Sequence, residues 1–442
     1  MLKRIFTLAT GVALGLAAAA GAARFGVLRG LWPDRELDRS AAVVRDVMKL
    51  VGENYVDPKA AALPALTKSA LDGLIGSLDP HSEYMDVAAY NTLQEDLSSE
   101  FGGIGVQVEL RAGRVVIIAP IAGTPGERAG LRRGDEIVSI DGEKLAKPTM
   151  DTIVTRLRGK PGTKVTVGLF RPTTKEDLTL PLSRETIRVD SVRDVRLLPG
   201  GIGYVQLTQF VERTADEFAK ALNQLQTQGA KALVIDLRNN PGGLLDSVVD
   251  VAGNFFPKGE LIVYTQGRDT KDREDYRADH SRPPLTLPVA VLINAGSASA
   301  AEILAGALKD THRAVVVGER SFGKGSVQSI YKLGAGGGLR LTIARYYTPS
   351  GAVIHEHGVP PDVEVVMTPD EDRSLALQRS RSDLTDPAAF KERFSLDLIP
   401  DRQLDAAVSV LQAALLLEKK DKLDPAMDKL GLRLAPDKML GH

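Results

Sequence analysis

VAVLINAGSASAAEILAGALKD, Val289–Asp310, decides how this chain folds. Val289–Ile293 is a short apolar run of β-type residues. Small residues follow, Ala295 to Ala298, so no bulky side chain shields Ser297 or Ser299. Ile303, Leu304, Ala307 and Leu308 then recur at helical spacing. The pattern is strand, tight turn, helix. A serine on such a turn faces the helix's free N–H groups and its dipole, which favour developing negative charge. That suits a nucleophile whose product oxygen becomes an oxyanion.

Outward from there the chain reads THRAVVVGE, 311–319, then RSFGKGSVQ, 320–328. Lys324 lies between two glycines, so backbone can approach it closely. A lysine amine deprotonates a serine only if its pKa falls towards neutrality, which burial achieves by penalising the ammonium form. A strand pattern begins at Ser326. A period of two places Gln328 on the same strand face as Lys324. An amide there orients the amine without adding charge. Ser299, Lys324 and Gln328 are thus a coherent nucleophile, base and orienter.

Plainer readings exist. A serine before a helix is usually an N-cap, and Gly-Lys-Gly is usually an exposed turn. Gly318–Gly325, GERSFGKG, approaches the phosphate loop G-x-x-x-x-G-K-[ST]. It ends in Gly325 instead of the hydroxyl residue, and a strand pattern follows instead of a helix.

The SASAAEI and FGKGxVQ motifs and their spacing resemble the carboxyl-terminal processing, or tail-specific, proteases, which are Ser-Lys serine peptidases. The resemblance makes Ser299 the nucleophile, Lys324 the base and Gln328 the third member. LDPHSEYM, 78–85, and DLRNNPGG, 236–243, are similar to further family segments. The latter implies an oxyanion hole formed by the N–H of Ala300 and that of Gly242 or Gly243, and a helix-start turn is the plain alternative. The resemblance covers about residues 40 to 367.

The chain has 442 residues, and Lys plus Arg (56) balances Asp plus Glu (57), so no nucleic-acid footprint is expected. Hydrophobic content of 43% fits a substantial core. The absence of cysteine excludes disulfides, a thiol nucleophile and Cys-ligated metal. Lys3, Arg4, the apolar run from Ile5 to Ala20 and the small residues Ala20-Gly21-Ala22 have the layout of a secretory signal, with a signal anchor as the rival. Residues 1–23 are therefore expected to direct the chain to the periplasm or cell envelope.

Residues 35–96 have helical patterns, with Val43, Val44, Val47, Met48 and Val51 on one stripe. Residues 97–187 resemble a PDZ domain. Its loop, Gly103, Ile104, Gly105 and Val106, is expected to offer backbone N–H groups to a chain-terminal carboxylate, and the strand after it to accept an extended peptide. Ile104, Val106 and Val108 would line that groove. Residues 188–367 alternate strand and helix, which implies an α/β core of parallel strands. The resemblance makes it a crotonase-like protease core with the PDZ domain inserted. Residues 268–287 read as a charged surface loop and 368–400 as a polar linker. A helix over 404–417 begins the C-terminal helical tail of 368–442.

Three histidines invite other chemistry. His312 offers a Ser-His-Asp rival. His355 and His357 place two ligands on one strand face, without a third for a metal. Asp310 and His81 read as structural. The resemblance implies an exported serine endopeptidase that is expected to need no cofactor and no metal and to cut protein substrates near their C-termini. Its expected partners are substrate tails, with an envelope adaptor and a second copy of the chain as further candidates. The alternative is an inactive PDZ adaptor with a protease-like fold.

Overall fold

The computed structural model describes residues 35–429, except 99, 112, 281, 335 and 381–384. The expected leader at 1–23 and residues 430–442 of the tail lie outside the described residues. The chain divides into two compact units, Met1–Tyr84 and Met85–His442.

In the first unit, α1 (Arg35–Asn54) and α2 (Leu63–Gly76) form as their periodicities require. The stripe on α1 is not core, however. Val43, Val44 and Val47 are 63%, 50% and 53% exposed. Strand β1 (Glu83–Met85) leads into the second unit.

There α3 (Val87–Ser98) precedes the PDZ-like region: β2 (Glu100–Gly103), β3 (Val106–Arg111), β4 (Arg114–Pro120), the single turn α4 (Pro125–Arg128), β5 (Glu136–Ile140), β6 (Glu143–Lys144), α5 (Met150–Leu157), β7 (Lys164–Arg171), β8 (Glu176–Ser183) and β9 (Glu185–Arg188). The sheet order is β3-β4-β5-β7-β8. Ile117, Ile140, Ile153, Val167 and Leu169 are among its buried core residues. Thr149 caps α5 by accepting from the Thr152 N–H. The chain enters and leaves this region through the antiparallel pair β2–β9.

The remaining elements are β10 (Val192–Leu198), β11 (Ile202–Leu207), α6 (Thr214–Thr227), β12 (Ala232–Asp236), α7 (Leu245–Gly253), β13 (Leu261–Gln266), β14 (Arg273–Arg277), β15 (Val289–Ile293), α8 (Ala300–Asp310), β16 (Val315–Gly318), β17 (Ser326–Lys332), β18 (Gly338–Tyr347), β19 (Val363–Glu364), α9 (Pro369–Ser380), α10 (Pro387–Phe394) and α11 (Arg402–Lys429). One sheet runs β10-β11-β12-β15-β16-β19. Neighbours from β11 to β19 are parallel, and β10 is antiparallel to β11.

The continuous apolar runs split by alternation. Val205, Leu233, Ile235, Val291 and Ile293 face one core, which also holds Phe218, Val248 and Leu304 of α6, α7 and α8. Tyr204, Val234, Ala290 and Leu292 face the other, with Ala407 and Leu411 of α11. A strand buried on both faces has no polar side to show, so it reads as an unbroken apolar run.

Three expectations change. β13 belongs to a separate antiparallel sheet with β14 and β18, to which β17 also pairs, and not to the parallel one. The charged loop at 268–287 contains β14, whose Arg273, Asp275 and Arg277 side chains pair along the strand. The linker at 368–400 holds helices α9 and α10, with Leu375 and Phe390 buried. Its acidic cluster is the first turn of α9, where Thr368 and Glu371 close a capping box and carboxylates complement the helix dipole. No helix among the described residues is long and apolar enough to cross a membrane.

Candidate active site

β15 ends at Ile293, and α8 starts at Ala300. Asn294 builds the turn between them. Its Oδ1 accepts from the N–H groups of Asn239 and Gly296, at 2.9 and 3.1 Å. Ser297 is buried. Its hydroxyl donates to the Leu237 carbonyl at 2.8 Å and accepts from the Asn294 N–H at 3.0 Å, so it serves the turn. The structure thereby separates the two serines that the sequence left equally unshielded.

Ser299 sits at the N-cap position of α8, as the plain reading has it, but in an unusual backbone state. An N-cap residue is normally extended. Ser299 has φ 55° and ψ −116°, a conformation that costs a non-glycine residue on the order of 1–3 kcal/mol. A strained strand-to-helix turn is also how other hydrolase folds expose a nucleophilic serine.

Glu302, one turn into α8, organises the surroundings. It is fully buried. Its Oε2 accepts from the N–H of Ser299 at 2.8 Å and of Lys324 at 2.9 Å. Its Oε1 accepts from the Ser321 hydroxyl at 2.6 Å and the Gly323 N–H at 2.7 Å. Two backbone nitrogens bonded to one oxygen cannot be farther apart than the two bonds laid end to end. The backbones of Ser299 and Lys324 are therefore neighbours, within reach of a lysine side chain. Burial pushes the Glu302 carboxyl above its ordinary range, and the four donors pull it back. The SASAAEI motif contains this residue, and the sequence assigned it no task. An acidic side chain three residues after an N-cap serine was the available signal.

Lys324 precedes β17 by two residues, and a bulge interrupts the β17–β18 register between Val327 and Gln328. The strand-face argument linking Lys324 to Gln328 therefore fails, because alternation holds only within a continuous strand. The Gln328 amide nitrogen donates to the Ser326 hydroxyl at 2.7 Å and the Thr342 hydroxyl at 3.4 Å.

The turn after β12 abuts Ser299. A Cβ on Gly242 would stand 2.7 Å from the Ser299 Cβ and 2.9 Å from the Ala300 nitrogen, so only glycine fits. The Gly242 N–H is committed to Asn240 Oδ1 at 2.9 Å. A Cβ on Gly243 would fall 1.9 Å from the Phe210 carbonyl oxygen.

This turn is anchored from behind. Asp236 is fully buried and accepts from Tyr204 at 2.7 Å and from Arg238. Arg238 also donates to Asp401 at 2.7 and 2.9 Å and to Gln403 at 3.0 Å. Burial opposes the Asp236 charge, and the adjoining Arg238 and Arg379 with the Tyr204 hydroxyl outweigh it, holding the carboxyl down to about 2.

The histidines lie elsewhere or do other work. His312 follows the far end of α8, and eleven helical residues put it about 16 Å from Ser299. His355 and His357 occupy a turn, not a strand face, and the Glu356 N–H of that turn donates to the Gly323 carbonyl at 2.8 Å. Asp310 accepts from the Ser350 N–H at 3.1 Å. In the first unit, Asp79 accepts from the His81 N–H at 2.8 Å.

In the PDZ-like region, Gly103, Ile104, Gly105, Val106 and Val108 line a groove of about 110 Å³ with Val154 and Leu157 of α5, which the sequence did not single out. Gly105 has φ 72°, and a Cβ there would meet Thr124 at 2.3 Å. The carbonyls of Ile104 and Gly105 accept from Gly126 and Ile121 within the domain, at 2.7 and 2.8 Å. Arg158, at the groove's end, stacks over Phe101 and faces Glu95 and Asp96.

The Peptidase family S41 profile matches residues 201–365, and a PDZ domain profile matches 116–171. A carboxy-terminal-processing protease of Bartonella bacilliformis is 42% identical over 306 residues, covering 68% of this chain and 69% of the relative. The carboxy-terminal processing protease CtpB of Bacillus subtilis is 36% identical, covering 75% and 69%. A carboxyl-terminal-processing protease of Synechocystis is 38% identical, covering 75% and 77%. With a strained serine, a lysine loop and a glycine turn gathered at one helix start, and with this similarity along most of its length, the chain belongs to peptidase family S41, the family of the carboxy-terminal processing proteases.

Proposed function

We propose that this serine-type peptidase works through a Ser299–Lys324 dyad. The observation that carries the reading is the Glu302 carboxylate, which bonds the backbones of both residues. Ser299 Oγ attacks the scissile carbonyl while the neutral Lys324 amine takes its proton. The tetrahedral intermediate collapses, and Lys324 returns the proton to the leaving amine. Water, deprotonated by the same lysine, then releases the acyl group. The oxyanion is held by the N–H of Ala300, the first residue of α8, and by that of Gly243, since the Gly242 N–H is already bonded. Gln328 orients the lysine amine once it leaves Ser326 and Thr342.

The PDZ groove takes the substrate's C-terminal tail, a reading supported by its apolar lining. The crotonase-like assignment of the core is supported by the largely parallel sheet with helices on both faces. Export to the periplasm or envelope rests on the N-terminal charge and apolar pattern, and an adaptor or second copy as partner on the family resemblance.

The test is cleavage of an unstructured peptide with a free C-terminus. Ser299→Ala and Lys324→Ala are expected to lose turnover by a factor of at least about 10³ with the fold retained, and His312→Ala to stay near wild type. Cleavage should rise with pH as the amine loses its proton. Near-wild-type turnover by Lys324→Ala would sink the dyad. An inert wild type would favour the inactive-adaptor reading.

A further inference from the structure

Phe322 lies between Ser321 and Gly323, both bonded to Glu302. Its own N–H donates to the Ser297 carbonyl at 3.0 Å, two residues before the nucleophile. The backbone at 322 is thus held in register with Ser299 and Lys324. Its ring nevertheless stands 62% exposed. Phe210, Phe218, Phe255, Phe256 and Phe390 are all buried in their cores. An exposed ring forgoes much of the roughly 1.5–3 kcal/mol that burial would bring. A lone exposed apolar side chain on an ordinary surface loop calls for no explanation. This one is carried on backbone bonded to the Ser299 turn, two residues from the proposed base.

We propose that Phe322 forms the apolar wall of the substrate subsite beside the scissile bond, selecting an apolar side chain there. The proposal rests on the Ser299–Lys324 reading. The ring covers, and is covered by, an aliphatic or aromatic substrate residue, which a serine of similar backbone cannot match. Differences of this kind in an apolar subsite discriminate about 10- to 200-fold.

The experiment compares peptides of one sequence carrying Leu or Ser on either side of the scissile bond, cleaved by wild type, Phe322→Leu and Phe322→Ala. The readout is the ratio of kcat/KM for the Leu peptide to that for the Ser peptide, which cancels any general loss of activity. Wild type is expected to favour Leu at one of the two positions by about 10-fold or more, Phe322→Leu to retain most of that preference, and Phe322→Ala to lose it. An unchanged ratio in Phe322→Ala, or an equal loss on both peptides, would overturn the proposal. Turnover of Ser299→Ala and Lys324→Ala against wild type separates the two failures. Loss in both variants with an unchanged Leu/Ser ratio in Phe322→Ala removes the subsite alone, and near-wild-type turnover by Lys324→Ala removes the dyad and the subsite with it.

Discussion

Glu302 shows how one buried carboxylate can hold two distant backbones side by side. Ser299 and Lys324 are 25 residues apart in sequence and come from different elements. Each of the two carboxylate oxygens accepts two donors, so an amide cannot replace the carboxyl without turning its NH₂ towards two of them. Each buried donor left unpaired costs about 1–3 kcal/mol, and a displacement near 1 Å at a reacting centre costs about 10²-fold in rate. Glu302→Gln is therefore expected to lower kcat by about two orders of magnitude with KM little changed, and Glu302→Asp to fall between. Circular dichroism should show the fold intact. Equal activity of Glu302→Gln and wild type would show that the carboxylate holds nothing that matters. The same scale explains why sequence found Ser299 and Lys324 and passed over Glu302. A candidate nucleophile and a candidate base announce themselves by residue type, whereas a buried carboxylate that bonds backbone looks in sequence like any helix-start glutamate.

Among the elements, the turn after β12 depends on helices far along the chain. Arg238 reaches Asp401 across 163 positions of sequence. Arg379 of α9 bonds the same Asp401 and lies 3.7 Å from Asp236. Polar composition made 368–400 look like a linker because its partners are not local. The charges are satisfied only once α9 and α11 lie on the sheet. The Asp236 carboxyl is held at about 2, below its ordinary value. A group depressed in the folded state contributes stability above its unfolded pKa, near 4, and loses it as pH falls through the folded pKa. About 2 kcal/mol of stability is thus expected to vanish between roughly pH 4 and 2. Asp401, also held low, adds to the loss in the same direction. Chemical denaturation across that range measures it. Asp236→Asn should be less stable at neutral pH and flatter on the acid side, and an Asp236→Asn curve parallel to wild type would refute the assignment.

At the scale of the whole molecule, the PDZ-like region is inserted between α3 and β10 on the β2–β9 pair. A free substrate carboxylate in its groove would gain charge-assisted hydrogen bonds worth roughly 1.5–3 kcal/mol each. Amidating the C-terminus of one peptide is therefore expected to weaken apparent affinity roughly ten- to hundred-fold or more. Deleting residues 97–187 should leave an enzyme that is inactive or indifferent to that change. Equal cleavage of acid and amide by the intact enzyme would refute tail reading by this groove, and discrimination surviving the deletion would move the sensor elsewhere.

Sequence by itself determined the strand–turn–helix at 289–310, the apolar strands, the PDZ-like strands and α5, and the types of residue able to do the chemistry. These follow from local periodicity and side-chain chemistry, which need no knowledge of the rest of the chain. Only the tertiary structure decided that Ser297 serves the turn and that Glu302 joins Ser299 to Lys324. It alone decided that Gly242 spends its N–H on Asn240, that β13 and β14 leave the parallel sheet, and that α9 and α11 brace Arg238. Each of these depends on hydrogen bonds or packing between residues distant in sequence, and such contacts exist only after the chain has closed on itself.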